Sequence, residues 1–177
     1  MTVHIQRCSA RRVAEQRKGL VALLIDIVDA GAAVSFLAPL SPEAAEHYWQ
    51  DVEVALAHGQ HELLVAERDG VVVGAVQLAL SAWPNGRHRA EVAKLLVHGS
   101  ARRQGIGRSL MREVEEVARS HGRTLLVLDT REGDAGEALY RDLGYVRAGR
   151  IPDYARSSSG ELHATVLYYR ELAPTPG

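Results

Sequence analysis

Between Ala90 and Gly122 the chain changes its hydrophobic period in mid-course, and this change constrains the fold more than any other feature of the sequence. Ala90 to Val97 is a β-rich run in which Glu91, Ala93, Leu95 and Val97 alternate onto one face and Lys94 falls on the other. From Gly105 the period becomes 3.6. Ile106, Leu110, Val114 and Val117 line up while Arg112, Glu115, Glu116 and Arg119 turn outward, and Gly122 ends the pattern. A strand that passes through a glycine-containing loop directly into an amphipathic helix is a building unit of layered α/β folds.

The flanking segments extend the same alternation. Ala10 to Ala30 spaces Val13, Leu20, Leu23, Leu24 and Ile27 as a helix would, with Gly31 behind it. Ser41-Pro42-Glu43 supplies a capping hydroxyl, a first-turn proline and an acid at the positive end of a second helix that runs toward Gly59. Leu63 to Arg68 and Val71 to Leu80 read as strands joined at Asp69-Gly70, a dipeptide suited to a tight hairpin. Trp83 to Gly86 reads as a loop. Thr124 to Asp129 is a continuous apolar run ending in an acid, as in a strand buried on both faces. A short helix over Ala135 to Leu143 precedes two closing strands, Tyr145 to Ile151 and His163 to Leu172, with Pro152 to Gly160 as the loop between them. The resulting order is helix, helix, three strands, helix, strand, helix, two strands, with no linker or repeat, so residues 1–177 read as one α/β domain.

Composition narrows the functional classes. The chain has 177 residues, and at this size about 70% of the unfolded surface can be buried, so a core needs no disulfide or metal. Cys8 is the only cysteine, which excludes an intramolecular disulfide and a multi-cysteine zinc site and fits a reducing, cytoplasmic compartment. A net charge of -1 argues against general binding to nucleic acid or a membrane surface. The apolar stretch Leu20 to Val28 is interrupted by Asp26 and is far shorter than the roughly 20 residues of a membrane span. No secretory signal pattern opens the sequence.

Chemistry concentrates where the period changes. Unpaired backbone N–H groups at the start of the helix converge with Arg102, Arg103 and Arg108, and Gly105 and Gly107 let a ligand reach the backbone. This is a cradle for a polyanion. Neither G-x-x-x-x-G-K-[ST] nor G-x-G-x-x-G is present, which disfavours a P-loop ATPase and a Rossmann dehydrogenase.

The segment Arg102-x-x-Gly105-x-Gly107 resembles the acyl-CoA signature [RQ]-x-x-G-x-[GA] of the GNAT N-acetyltransferases, and Leu139-Tyr140-x-x-x-Gly144-Tyr145 resembles their L-Y-x-x-x-G-[FY] segment. The resemblance implies a mixed, mostly antiparallel central sheet flanked by helices, with a parallel pair of central strands splayed apart. It further implies acetyl-CoA as co-substrate and no metal. The pantetheine arm would then meet backbone groups of Leu95, Leu96 and Val97, and the phosphates would meet Arg102, Arg103, Gln104, Gly105, Ile106, Gly107, Arg108 and Ser109. In the same pattern Glu91 and Asp129 are the candidate proton acceptors for the incoming amine, without a choice between them, and Tyr140 is the candidate acid for the departing thiolate. The stretches Gly31 to Phe36, Pro84 to Gly86, Arg89 to Leu95, Leu128 to Thr130 and Gly160 to His163 resemble a branch of the family that inactivates a β-lactam-containing amino acid toxin. Gly99, Gly133 and Gly136 depart from the family pattern, which often has proline, asparagine and alanine there.

Acetyl transfer from acetyl-CoA to a small-molecule amine, by direct attack in a ternary complex, is therefore the expected activity. A protein or peptide acceptor and a non-catalytic acyl-CoA sensor are the rivals, and no nucleic-acid or membrane partner is expected. The sequence does not set the oligomeric state. Other residues carry weaker expectations. His58 and His61 straddle Gly59 at a helix end and read as solvated, and His98 adjoins the phosphate loop. Cys8 has no adjacent base to make it an acyl carrier. Phe36, Trp83, Tyr154 and His163 read as packing residues or as walls of an acceptor pocket.

Overall fold

The structure is a computed structural model that describes residues 2–32 and 34–173; Ala33, within the Gly31 to Phe36 stretch, lies outside the described residues. Seven strands form one sheet: β1 Val3–Arg7, β2 His61–Arg68, β3 Val71–Leu80, β4 Arg89–Val97, β5 Leu125–Arg131, β6 Val146–Arg156 and β7 Leu162–Glu171. They lie in the order β1-β2-β3-β4-β5-β7-β6, and among the described residues only the pair β4 and β5 is parallel. Four helices accompany them: α1 Ala10–Asp29, α2 Pro42–Ala57, α3 Ile106–Ser120 and α4 Gly136–Asp142. This is the mixed, mostly antiparallel α/β sheet with a parallel central pair that the family resemblance implies.

Over β2, β3 and β4 both faces of the sheet are covered. On one, Leu20, Leu24 and Trp49 of α1 and α2 pack with Leu63, Val65, Ala75 and Leu96. On the other, Leu110, Met111 and Val114 of α3 pack with Leu64, Val76, Val92, Leu126 and Val166, joined by Tyr140 of α4. The alternation of Leu63 and Val65 with Leu64 and Ala66 serves both layers from one strand. Ser9 and Ser41 cap α1 and α2 by accepting from the N–H groups of Arg12 and Ala44, at 3.3 and 3.2 Å. Asp69 and Gly70 both take positive φ in the β2–β3 turn.

Four features depart from the sequence reading. β1 is an added edge strand, five residues long, in which Val3 and Ile5 alternate with polar residues and pack against the α3-side core while its backbone pairs with β2. β6 continues beyond Ile151 to Arg156 because the segment Pro152 to Tyr154 is accommodated as an irregularity opposite β7, on an edge strand whose proline needs no ladder donor. In β5 only Leu126 and Leu128 are fully buried, so the run is not covered on both faces.

The fourth departure lies in β4. Ala75 pairs with Leu96 but Gln77 pairs with Ala93, so Lys94 and Leu95 together oppose Val76. Lys94 takes φ 51° in this bulge. The extra residue reverses the side-chain alternation: Ala90 and Val92, then Leu95 and Val97, face α3, whereas Leu96 faces α1. Glu91 and Ala93 therefore do not share a face with Leu95 and Val97.

Gly74 permits the close approach of α3. A Cβ there would lie 3.0 Å from the Leu96 carbonyl oxygen, 3.1 Å from Leu110 and 3.3 Å from Ile106. Gly74→Val is expected to destabilise the protein by about 1–3 kcal/mol through overpacking, whereas Gly149→Ala, with nothing within 4 Å of the added Cβ, should shift stability by under about 0.5 kcal/mol. Chemical denaturation of the two variants checks the difference.

Candidate active site

The parallel ladder between β4 and β5 is short. Arg89, Ala90 and Glu91 pair with Leu125, Leu126 and Val127, and there the ladder ends, while β5 stays paired with β7 as far as Arg131. Past Glu91 that edge of β4 faces a gap instead of a strand, and the bulge at Lys94 and Leu95 follows after Val92 and Ala93. Glu91 and Asp129 flank the mouth of this gap. Each alternates with residues buried against α3, Ala90 and Val92 in one strand and Leu126 and Leu128 in the other, so both carboxylates project on the α1 side.

Their settings differ. Asp129 is exposed but fixed, accepting a hydrogen bond at 2.7 Å from the hydroxyl of Thr165, a buried residue of β7 that also lies 3.0 Å from the Thr130 carbonyl. Glu91 is exposed and has no hydrogen-bond partner among the described residues. Lys94 feels the charge of both. Burial holds its ammonium below the usual lysine range, against the opposing pull of Asp129 and Glu91, and its Nζ donates to Ser35 Oγ at 2.8 Å.

Tyr140 enters from the α3 side. It is 8% exposed, with its ring centroid 6.0 Å from those of Tyr145 and Tyr168. Burial, with the charges of Asp129 and Asp134 adding to it, pushes its phenol up to about 12. The phenol is thus protonated at neutral pH and lies within the field of Asp129. Gly136 makes room for the ring, since a Cβ there would approach Tyr140 Cε2 to 3.1 Å.

A set of polar contacts fixes α4 and with it Tyr140. Arg108 pairs with Asp142 at 2.9 Å, and Arg170 donates to the Leu143 carbonyl and, at 2.8 Å, to Glu115. Burial raises the Glu115 carboxyl, against the pull of Arg170 and Arg119. Glu137 accepts from Tyr168 at 2.5 Å and from the Gly133 N–H at 2.7 Å, and these bonds hold its carboxyl below the usual range.

The loop from Arg102 to Gly105 leaves the first backbone donors of α3 open. Arg103 and Gly105 both take positive φ, and Gly105 stands at the N-cap of α3 with no side chain to satisfy the first-turn donors, unlike the serines of α1 and α2. The N–H groups of Ile106, Gly107 and Arg108 open the helix, while Ser109 already donates to Gly105. The side chain of Ile106 is in the core, so only its backbone can serve a ligand. Of the three arginines, Arg102 donates to the Val97 carbonyl at 3.2 Å and Arg108 holds Asp142, whereas Arg103 is exposed without a partner among the described residues. Gln104 is braced between Arg68 and the Ser100 carbonyl. His98 is a structural cap: its Nδ1 accepts from Ser100 N–H at 3.2 Å, and its Nε2 lies 3.5 Å from Asp26, which also accepts from Gly99.

The remaining candidates separate clearly. Phe36 stacks edge-on with Tyr48 at 5.3 Å, Trp83 and Tyr154 are 73% and 56% exposed, and His163 is partly buried. His58 bonds the Val54 carbonyl at its own helix end. Cys8 is buried, and burial pushes its thiol up to about 11, which leaves no thiolate for acyl transfer at neutral pH. Among the described residues no group of three or more metal-ligating side chains comes together, and no helix is long and apolar enough to cross a membrane. The residues that sequence reasoning passed over are Lys94, Ser35, Thr165 and Asp26. The visible signal was for Lys94, a charge in the middle of an apolar strand run.

The sequence profile of the acetyltransferase (GNAT) family matches residues 31–145, well over half of the chain, and the chain belongs to that family. It is 38% identical over 109 residues to an uncharacterized N-acetyltransferase of the hisH-hisA intergenic region of Azospirillum brasilense, covering 60% of this chain and 63% of that protein. It is 34% identical over 120 residues to an IAA acetyltransferase of the same organism, covering 67% and 75%. The chain thus spans less than two thirds of the first of these relatives. Its fold is similar to that of a ribosomal-protein-alanine N-acetyltransferase from Brucella melitensis, with TM-score 0.79, 26% identity, and 96% and 99% of the two chains covered. It is also similar to that of yncA from Salmonella typhimurium, solved with its cofactor acetyl-CoA, with TM-score 0.77, 17% identity, and 100% and 98% covered.

The buried phenol has a consequence for stability. Its folded value of about 12 lies above the ordinary 10, so its contribution is complete below pH 10 and is lost as the pH rises through 12. In a phenolate absorbance titration, Tyr140→Phe should lose one group that ionises near 12, and wild-type stability should fall over that interval. An unchanged titration curve would mean that Tyr140 is not the buried phenol described.

Proposed function

We propose that this chain is an N-acetyltransferase that moves the acetyl group of acetyl-CoA to the amine of a small molecule, by direct attack within a ternary complex. The observation that carries the reading is the opening between β4 and β5, which has a fixed carboxylate at its mouth, a protonated phenol on its far side and an uncapped helix at its end. The residues fit the co-substrate. The N–H groups of Ile106, Gly107 and Arg108, with exposed Arg103 and the side chain of Gln104, suit its phosphates; Arg102, Gly105 and Ser109 complete that loop. Backbone groups of Leu95, Leu96 and Val97 along the unpaired side of β4 suit an extended amide-bearing arm. When bound, acetyl-CoA supplies an acyl carbon activated as a thioester.

The chain's own groups then manage protons. Asp129, oriented by Thr165, takes the proton that the acceptor amine must lose, and Glu91 at the mouth attracts the ammonium form. Tyr140 donates to the departing sulfur. A phenol near 12 is a much weaker acid than a thiol near about 8.5, so Tyr140 acts chiefly as a hydrogen-bond donor. The thiol's proton derives ultimately from the amine, by way of Asp129. This division of labour supports Asp129 over Glu91 as the proton acceptor.

A small acceptor is supported by the loops around the mouth. The α1–α2 loop touches the β6–β7 loop, where Ala38 N–H donates to Ser158 Oγ at 2.7 Å, which narrows the groove that an extended peptide would need. Within the family we favour the branch that the tabtoxin resistance acetyltransferases represent, acting on an amino-acid-like toxin or antibiotic in a reducing, cytoplasmic compartment, with residues 1–177 as one catalytic domain.

Two measurements test these roles. In calorimetry Arg103→Glu should weaken acetyl-CoA binding at least tenfold, about 1.4 kcal/mol; an unchanged affinity would put the phosphate site elsewhere. In steady-state thiol release, Tyr140→Phe should lower kcat roughly 10²–10⁴ fold with acetyl-CoA affinity nearly retained. Asp129→Asn should lower kcat more than Glu91→Gln, and the reverse order would exchange the two roles.

A further inference from the structure

Lys94 is one of two lysines in the chain, and the two are placed differently. Lys18 is exposed in the middle of α1, whereas Lys94 is half-buried at the bulge of β4. It forms no ion pair among the described residues. Its Nζ donates to Ser35 Oγ at 2.8 Å, so the side chain lies on the α1 side, where Asp129 and Glu91 also project, and the charges of both reach it. Ser35 is fixed in turn. It stands at φ 72° in the α1–α2 loop, and the next residue, Phe36, stacks on Tyr48, whose hydroxyl accepts at 2.5 Å from Gln77. Gln77 is 3% exposed and pairs in register with Ala93, the residue before Lys94.

These contacts place an amine of the chain itself where the reaction needs one. Lys94 directly precedes Leu95, the first of the three residues whose backbone suits the arm of acetyl-CoA, and past Glu91 that edge of β4 has no strand partner. Being tethered, the amine reaches the thioester without a second binding step, which removes the entropic cost of bringing in an acceptor. Burial also enlarges the share of neutral amine at Nζ, and Asp129 is close enough in charge to take up the proton it loses. An amide is less costly to bury than an unpaired ammonium, so the product suits the position better than the lysine does. We propose that Lys94 is an internal acceptor, which the enzyme acetylates on Nζ when acetyl-CoA is bound and no acceptor amine occupies the opening. The step balances: an N–C bond forms and the C–S bond breaks, so that the Lys94 ammonium and acetyl-CoA give acetyllysine and the free CoA thiol, with one proton passing to the sulfur and one to solvent. The bond to Ser35 ties the ammonium back in the resting protein. Once attached, the acetyl group stays at the opening, so the modification removes from use enzyme that holds acetyl-CoA without an acceptor. The inference rests on the acetyltransferase reading above and adds a modification to that site.

The test is to incubate wild-type protein with acetyl-CoA and no acceptor, and to follow intact mass, peptide mass spectra and free thiol with time. The expected result is one acetyl group per chain, on Lys94 and not on Lys18, with thiol release that ends at one equivalent. Lys94→Arg keeps the positive charge and removes the amine, and should abolish the mass gain. Asp129→Asn should slow the modification about tenfold or more with acetyl-CoA affinity nearly retained, because uncatalysed acetylation by the thioester makes no use of that carboxylate. A wild-type Lys94 that stays unmodified while acetyl-CoA binds, equal acetylation of Lys18 and Lys94, or an unchanged rate in folded Asp129→Asn would each overturn the inference. In the first two cases the acetyltransferase reading stands. Absence of acetyl-CoA binding to wild-type protein in calorimetry would instead remove the reading beneath it.

Discussion

The one-residue bulge at Lys94 is the constraint on which the rest of the site depends. It inserts a residue into β4 opposite Val76, reverses the facing of Leu95 to Val97 and lies just beyond the end of the ladder to β5. A sheet continued in regular register would bury the polar backbone of both central strands in each other. Here the divergence leaves one edge of β4 without a strand partner in the middle of the fold, where backbone donors and acceptors need a partner. A ligand with alternating amide groups would satisfy that need as a strand does. The left-handed conformation at Lys94 is stabilised by the side-chain bond to Ser35 and by the pairing of β4 with β3 on either side of the bulge.

Packing on the opposite face converts this opening into a site with direction. α3 can approach β3 because Gly74 has no side chain, and its own start is uncapped beside the loop of Arg103 and Gly105. α4 is too short to be stable alone. It is held by Arg108, by Arg170 and by the bond between Tyr168 and Glu137, and these contacts come from α3 and β7. Tyr140 is thereby buried next to Gly136 and within the field of Asp129, which Thr165 fixes from the same strand β7. β7 thus holds both Tyr140 and Asp129 in place.

Much of this was legible in the sequence because it rests on periodicity. The four helices, the Asp69-Gly70 hairpin and the strand-loop-helix unit at Val97 to Ile106 follow from spacing and capping, and the uncapped glycine start of α3 from its position. The bulge was not legible. A one-residue insertion leaves the composition of β4 unchanged, and strict alternation assigns Glu91, Ala93, Leu95 and Val97 to one face until the register with β3 is known. β1 and the continuation of β6 past Pro152 depend on distant partners in the same way. Among the site residues, Glu91, Asp129 and Tyr140 were found by their likeness to the family pattern, whereas the fixing of Asp129 by Thr165 and the engagement of Arg102 and Arg108 are tertiary facts. Ser35 and Lys94 are 59 positions apart and meet only through the folded α1–α2 loop.

The central claim is that the unpaired side of β4 and the uncapped start of α3 receive one extended ligand. Amide hydrogen exchange with and without acetyl-CoA measures this directly, since it reads the backbone donors themselves. The account predicts slowed exchange at Leu95 to Val97 and at Ile106 to Arg108 together, with the ladder between β5 and β7 little changed. Binding that protects neither segment, or that protects the α3 start while leaving Leu95 to Val97 unaltered, would contradict it.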